Sequence, residues 1–280
     1  MKNLGYYNGV YDEIENMSIP MGDRVCFFGD GIYDATYSRN YTIFALDEHV
    51  DRFYNSAKLL EIEIPYSKEE LKALLNSMVK KMDTGENFVY FQATRGSNAI
   101  RNHVFPNDAK ANIWINIYHK EIVDLNKRIQ LITMEDTRFL HCNIKTLNLI
   151  PSVIASQRAK EAGCFESVFH RNGRVTECAH SNVHIIKDGM LITAPTDNLI
   201  LPGIARKHII EACKKMDIVV KEEPFNLEQL FDADEILVSS AGALCLVADQ
   251  IDGKPVGGKA TELVSKLQNM LLQDYIDQTK

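Results

Sequence analysis

The chain has no CxxC pair. Its six cysteines, at positions 26, 142, 164, 178, 213 and 245, stand singly, which fits neither a zinc cluster nor a small disulfide framework. They read as reduced, mostly buried thiols of a cytosolic protein. No segment approaches the roughly 20 apolar residues of a membrane span, and the opening MKNLGYYNGVYDEIENM carries no apolar stretch of signal-peptide length. The expectation is a soluble, cytoplasmic protein without a membrane partner. Excess positive charge is missing as well: 31 Lys and Arg stand against 38 Asp and Glu, a net charge of −7, so a nucleic-acid-binding surface is not expected. The single GxG, Gly29-Asp30-Gly31, lacks the third glycine of a dinucleotide fingerprint, and neither a GxxxxGK[ST] loop nor an HExxH pair occurs. The pairs His180 with His184 and His141 with Cys142 have no carboxylate at ligand spacing, so no metal site is expected and they read as histidines with ordinary hydrogen bonds.

What the chain does have is length and patterned turns. Its 280 residues, 45% of them hydrophobic, exceed the size at which one core stops growing. Two domains are expected, 1–120 and 121–280, parted in the charged stretch HKEIVDLNKR near 119–126. Asn8-Gly9, Asn172-Gly173, Asp188-Gly189 and Asp252-Gly253 each lie between β-prone runs, as hairpin turns with positive φ require. Helical spacing appears at Val50, Phe53, Ala57 and Leu60, and again at Leu71, Leu74, Leu75 and Met78, the second set preceded by a Ser67–Glu70 capping box. Strands are predicted at 87–95, 112–118, 129–134 and 235–240. Further helices are predicted at 151–162, with Pro151 in the first turn, and at 203–216 and 259–277. This is an α+β pattern of strands and helices in separate layers rather than strict βαβ alternation.

Three segments carry chemistry: HCNIKTLNLI at 141–150, VTECAHSNV at 175–183 and LILPGIAR at 199–206. An amine, a carboxylate and a glycine-opened helix start are the groups a pyridoxal phosphate enzyme must hold. A lysine attacks an aldehyde only as the neutral amine, so its pKa must fall from about 10.4 toward about 7 to 8 through burial or a neighbouring cation. The apolar flanks Ile144, Leu147, Leu149 and Ile150 suit such burial of Lys145. The ordinary readings are a solvated lysine, a strand-end Glu177 facing water, and Arg52 as a charge at a helix edge.

Seven motifs in order, FFGDGIYD (27–34), DEHVDRFYNSA (47–57), YFQATRG (90–96), RNHVFP (101–106), IKTLNLI (144–150), RVTECAHSNV (174–183) and LILPGIAR (199–206), resemble the D-amino acid aminotransferases. That family belongs to the fold type IV pyridoxal phosphate enzymes, with branched-chain aminotransferases and aminodeoxychorismate lyases. The resemblance implies a two-domain α+β homodimer with pyridoxal 5′-phosphate between its domains. Lys145 is then the Schiff-base lysine and proton shuttle, and Glu177 the carboxylate at the pyridine nitrogen. Arg52, with the segments Gly203, Ile204, Ala205 and Ser240, Ala241, holds the phosphate, and Leu201 walls the ring. Arg101 and His103, supplied by the neighbouring subunit, join Tyr33 in holding the substrate carboxylate, the arrangement that favours D-amino acids. Transfer would run from a D-amino acid such as D-alanine to a 2-oxo acid such as 2-oxoglutarate. The chain departs from the family at Ala205 and Ala241, where hydroxyl residues are common, and at His180, where serine is. His180 either shapes the substrate pocket, attracting acidic side chains, or points into the core beside Cys178. Competing readings are an L-branched-chain aminotransferase, an aminodeoxychorismate lyase, and a catalytically silent cofactor-binding scaffold.

Overall fold

The computed structural model describes residues 1–280, and the chain divides into two compact units. The first comprises Met1–Glu121 together with Ile144–Asn148 and Ile276–Lys280; the second comprises Ile122–Asn143 and Leu149–Tyr275.

The first unit contains β1 (Asn3–Tyr7), β2 (Val10–Asp12), α1 (Arg24–Phe28), β3 (Gly31–Arg39), β4 (Thr42–Ile43), α2 (Leu46–Leu59), α3 (Lys68–Val79), β5 (Asn87–Thr94) and β6 (Asn112–His119). Its strands form one sheet in the order β2-β1-β6-β5-β3-β4, antiparallel throughout. Side chains alternate across the sheet, so Val89, Phe91 and Ala93 of β5 and Ile113, Ile115 and Ile117 of β6 share one core with Val50, Phe53 and Ala57 of α2 and Leu71 and Leu75 of α3. Phe53, Phe91, Leu71 and Leu75 are fully buried, each worth roughly 1.5–3 kcal/mol of transfer free energy. The predicted capping box starts α3, with Ser67 and Glu70 each accepting from the other's backbone N–H. β3 was not foreseen, because beyond Ile32 its core-facing positions are the polar Asp34, Thr36 and Ser38, all buried.

The second unit contains β7 (Arg128–Glu135), α4 (Ile150–Glu161), β8 (Glu166–Arg171), β9 (Arg174–Cys178), β10 (Asn182–Lys187), β11 (Met190–Thr193), α5 (Ile204–Lys215), β12 (Val220–Glu222), α6 (Leu227–Phe231), β13 (Glu235–Ser239), β14 (Leu246–Ile251) and β15 (Lys254–Pro255). α7 (Thr261–Gln278) begins in this unit. The strand order is β12-β11-β10-β13-β14-β7-β8-β9, with β15 on β14. Two connections depart from the expected layering: β7 and β8 pair in parallel across α4, and β11 and β12 in parallel across α5. Such crossovers need a helix between the strands, and the segment lengths alone did not distinguish them from antiparallel returns. Ile209, Ile210 and Cys213 of α5 pack with Val264, Leu267 and Leu271 of α7 and with Ile186, Leu237 and Val247 of the sheet. All four Asn-Gly and Asp-Gly turns have positive φ at both residues. No helix is long and apolar enough to cross a membrane.

Candidate functional site

In the first unit, β4 pairs only with the far end of β3, at Ser38 and Arg39. The near end of that edge is taken by the segment bearing Lys145. The Tyr33 N–H donates to the Lys145 carbonyl at 3.0 Å, the Leu147 N–H to the Gly31 carbonyl at 3.1 Å, and Ile32 bridges Thr146. Gly31 makes this close approach possible: a Cβ there would lie 2.5 Å from the Ala93 carbonyl oxygen and 2.7 Å from Leu147 Cδ1. The Gly-Asp-Gly that fails as a phosphate fingerprint is therefore part of the lysine's support. The Lys145 N–H donates to Ser56 Oγ of α2 at 3.2 Å, and its Nζ stands 4.3 Å from the centroid of the Tyr33 ring. Lys145 is half-buried. The expected apolar flanks are only partly realised: Ile144 is buried, but Leu149 and Ile150 are 36% and 70% exposed, because the chain turns out of the sheet edge into α4 just after Asn148.

Arg52 lies on the face of α2 turned to β3. Its Nε and one terminal nitrogen donate to the two Asp34 oxygens at 2.9 and 2.8 Å, and His49 Nδ1 meets Asp34 Oδ1 at 2.7 Å. Burial alone would raise the Asp34 carboxyl, but the Arg52 guanidinium and His49 outweigh it and hold the carboxyl below the usual carboxylate range. Burial pushes the His49 pKa down, against the attraction of Asp34 and with the help of the Arg52 and Lys145 charges. A neutral ring making this bond carries its proton on Nδ1; its buried Nε2 has no partner in the protein. Arg52 is thus not a loose helix-edge charge but a fixed one, its side chain 11% exposed. Asp34 and His49 lie inside the quoted motifs, yet sequence reading gave them no role.

Arg101 and His103 stand on an exposed loop between β5 and β6. They make no hydrogen bond or ring contact with Tyr33 or Lys145. Instead, the Arg101 guanidinium carbon lies 4.7 Å from the Phe28 ring centroid, and the His103 ring lies 5.0 Å from the same ring. The loop backbone is held by Arg24, which donates to the carbonyls of Asn102 at 2.6 Å, His103 at 3.3 Å and Val104 at 3.4 Å. Arg24 is fixed in turn by Asp30 at 2.7 Å, a carboxylate shared with Arg95 at 3.0 Å.

In the second unit, Glu177 at the end of β9 is buried. Its Oε2 accepts from Asn182 Nδ2 at 2.9 Å and from the Leu201 N–H at 3.0 Å, and its Oε1 pairs with Arg138. The reading of Glu177 as a solvated strand-end charge is thereby corrected. Arg138 also meets Asp136 at 2.9 Å. Neither Arg138 nor Asn182 was singled out in the sequence; the one available signal, a basic residue just after a predicted strand, is too common to have found Arg138. Asn182 also donates to the Leu201 carbonyl at 3.0 Å, and a Cβ on Gly203 would lie 2.0 Å from its Oδ1. Gly203 starts α5 with no capping side chain, so the first N–H groups of that helix, at Ile204 and Ala205, are of the kind that binds anions. Ser240 and Ala241 form the turn after β13. Beneath them His184 links Thr193 Oγ1 and Ser239 Oγ, each at 2.8 Å. Burial, with the Arg206 charge adding to it, pushes its pKa down to about 3. It is buried and neutral, and makes the ordinary hydrogen bonds expected of it.

His180 does not enter the core beside Cys178. Its side chain is 57% exposed, with Nδ1 2.8 Å from the buried Glu166, which also accepts from the His180 N–H and the Ser181 hydroxyl at 2.6 and 2.8 Å.

The family described as amino-transferase class IV matches residues 31–251. A D-alanine aminotransferase of Listeria monocytogenes is 39% identical over 269 residues, covering 94% of this chain and 93% of the relative. One from Staphylococcus haemolyticus is 38% identical over 267 residues, 94% of each chain. Among solved structures, a T.th. branched-chain amino acid aminotransferase complexed with N-(5'-phosphopyridoxyl)-L-glutamate superimposes with a TM-score of 0.87 at 26% identity, covering 96% of this chain and 93% of that one. The branched-chain amino acid aminotransferase of Escherichia coli gives a TM-score of 0.89 at 21% identity over 100% and 96% of the two chains, a likeness of fold alone.

Proposed function

Since the chain belongs to the class IV aminotransferases, pyridoxal 5′-phosphate enzymes of α+β fold type IV, we propose that it moves an amino group from a D-amino acid of the D-alanine type to a 2-oxo acid of the 2-oxoglutarate type. The observation that carries the reading is the likeness, at 39% identity over 94% of the chain, to a D-alanine aminotransferase. The Arg101–His103 loop, whose clustered positive charge suits a carboxylate, supports it.

The chemistry of the available donors supports the cofactor. Bound pyridoxal phosphate supplies a carbonyl carbon for amino-group exchange and a conjugated ring that accepts electron density. Lys145 is the residue for covalent attachment, and its Nζ takes a proton from the substrate α-carbon and later returns it, one amine serving as nucleophile and as general acid and base. Glu177, oriented by Asn182 and the Leu201 N–H, is the acidic partner for the ring nitrogen. Leu201 offers an apolar wall. Arg52 in the first unit and, in the second, the N–H groups of Ile204 and Ala205 with the Ser240–Ala241 turn are the groups suited to a phosphate. Ala205 and Ala241 contribute no hydroxyl, so backbone donors and one guanidinium carry that work. Tyr33, Arg101 and His103 hold the substrate carboxylate, and His180 borders the substrate.

The enzyme is further proposed to act as a homodimer that completes each site with a partner's loop. Ile100, Val104 and Phe105 around Arg101 and His103 are 75%, 70% and 49% exposed, and Ile150 and Val153 of α4 are 70% and 59% exposed; apolar groups so placed support a protein cover. Sedimentation should give a mass of two chains at micromolar concentration, and a single-chain mass would refute the proposal. Six cysteines, none in a disulfide, support a reducing, cytoplasmic setting.

The competing reading, an L-branched-chain aminotransferase, takes its support from the solved neighbours. Single-turnover reactions decide between the two. D-Alanine should convert the cofactor to its aminated form at least about 100-fold faster than L-leucine at equal concentration, a difference of about 2.7 kcal/mol in transition-state binding. Conversion by L-leucine alone would reverse the assignment.

A further inference from the structure

Phe28 ends α1 and touches both members of the carboxylate-binding pair. The Arg101 guanidinium carbon lies over its ring at 4.7 Å from the centroid and the His103 ring packs tilted on it at 5.0 Å, while Arg24 lies 4.8 Å from the same centroid. We propose that Phe28, braced by the Arg24–Asp30 pair, is the platform that positions Arg101 and His103 for the substrate carboxylate. It is thereby a specificity-determining residue of the reaction. The proposal rests on the reading that these two side chains hold that carboxylate.

Three observations carry it. A guanidinium stacked on a ring spends its face on the aromatic and keeps its in-plane N–H fork for bidentate bonding. Phe28 therefore orients Arg101 without consuming its donors. The backbone under the pair is not free: three successive carbonyls, at 102 to 104, accept from the one Arg24 guanidinium, whose side chain is 4% exposed. The charges are unbalanced: Arg24 and Arg95 share the one carboxylate of Asp30, while Arg101 meets Arg24 across the Phe28 ring with no carboxylate of its own in contact. The negative face of the Phe28 ring offsets part of the repulsion between Arg24 and Arg101. The surplus positive charge suits an anionic group, and the stacking fixes the direction from which that group is taken. Direction matters because the side on which the carboxylate is anchored decides which enantiomer turns its α-hydrogen toward the lysine.

The test compares Phe28→Leu, Phe28→Tyr, Arg24→Lys and Arg101→Ala holoenzymes, using D-alanine, L-alanine and 2-oxoglutarate. Phe28→Leu should raise the KM for D-alanine about tenfold, leave kcat at saturation within about twofold, and lower the D-to-L ratio of kcat/KM. Phe28→Tyr, which keeps the ring face, should restore all three. Arg24→Lys keeps the charge but loses the fork, and should mimic Phe28→Leu; it carries the test should Phe28→Leu not fold. Backbone amides of 98–105 should exchange faster in Phe28→Leu and Arg24→Lys, with the cofactor's visible absorbance unchanged. The platform is overturned if Arg101→Ala raises KM while Phe28→Leu and Arg24→Lys leave KM and the enantiomer ratio alone. It is also overturned if those variants lose kcat and cofactor absorbance in parallel with KM, the mark of general damage. An Arg101→Ala enzyme with unchanged KM would instead remove the carboxylate assignment, and the platform with it.

Discussion

Replacing Lys145 with alanine should lower the rate of amino-group transfer by at least about 10⁴-fold, the upper range for losing a general acid–base group, since the same side chain is also the proposed attachment point. Borohydride should fix the cofactor to the wild-type chain at this position and leave Lys145→Ala unlabelled. The fold should survive, since the segment is held by its backbone: the Tyr33 and Leu147 N–H groups and the Lys145 N–H do the anchoring, and none of them needs the amine. Circular dichroism and rate are measured on the same preparation. A variant that folds and still transfers at a tenth of the wild-type rate would remove Lys145 from the chemistry.

Asp34→Asn should show the largest stability effect. The carboxylate is fully buried between Arg52 and His49, and removing one member of a buried ion pair costs about 3–5 kcal/mol, because the remaining charge is left uncompensated. Its pH dependence has a fixed sign. Arg52 and His49 overcome burial to hold the folded-state carboxyl below the usual range, so the ion pair stabilises the protein above the unfolded-state pKa of about 3.9 and loses that contribution as pH falls through the folded-state value. The gap in denaturant midpoint between wild type and Asp34→Asn should therefore be full at pH 7 and shrink at pH below about 4. A gap that widens in acid would contradict the assignment. Phosphate affinity should fall with stability, since the Arg52 fork loses its brace.

Much of the architecture was legible for local reasons. The Asn-Gly and Asp-Gly turns need only two adjacent residues with positive φ, and the α3 capping box needs only four, so both could be read directly. β3 was hidden because, beyond Ile32, its buried face carries the polar Asp34, Thr36 and Ser38, each satisfied by partners outside the strand: Arg52, the Phe44 carbonyl and the Gly85 carbonyl. α4 was expected as a helix over 151–162 with neither face assigned. It buries only Ala155 and Ala159 and turns Ile150, Val153 and Ile154 outward, a choice no periodicity announces. Among the proposed site residues, Lys145, Glu177 and Arg52 stood in the motifs that carry the family resemblance. Those that work by holding another residue, Asp34, His49, Arg138 and Asn182, were invisible because the partnership spans up to 39 positions and exists only after folding.

The first unit is not finished by the first half of the gene product. It borrows residues 144–148 for its sheet edge and its last five residues from the far end of the chain, where Thr279 accepts from Asn40 at 3.1 Å. On the ribosome, then, the portion made earliest waits for the portion made latest. An early-emerging sheet with an unoccupied border invites mispairing, and a nascent chain stalled before residue 144 would carry that border bare.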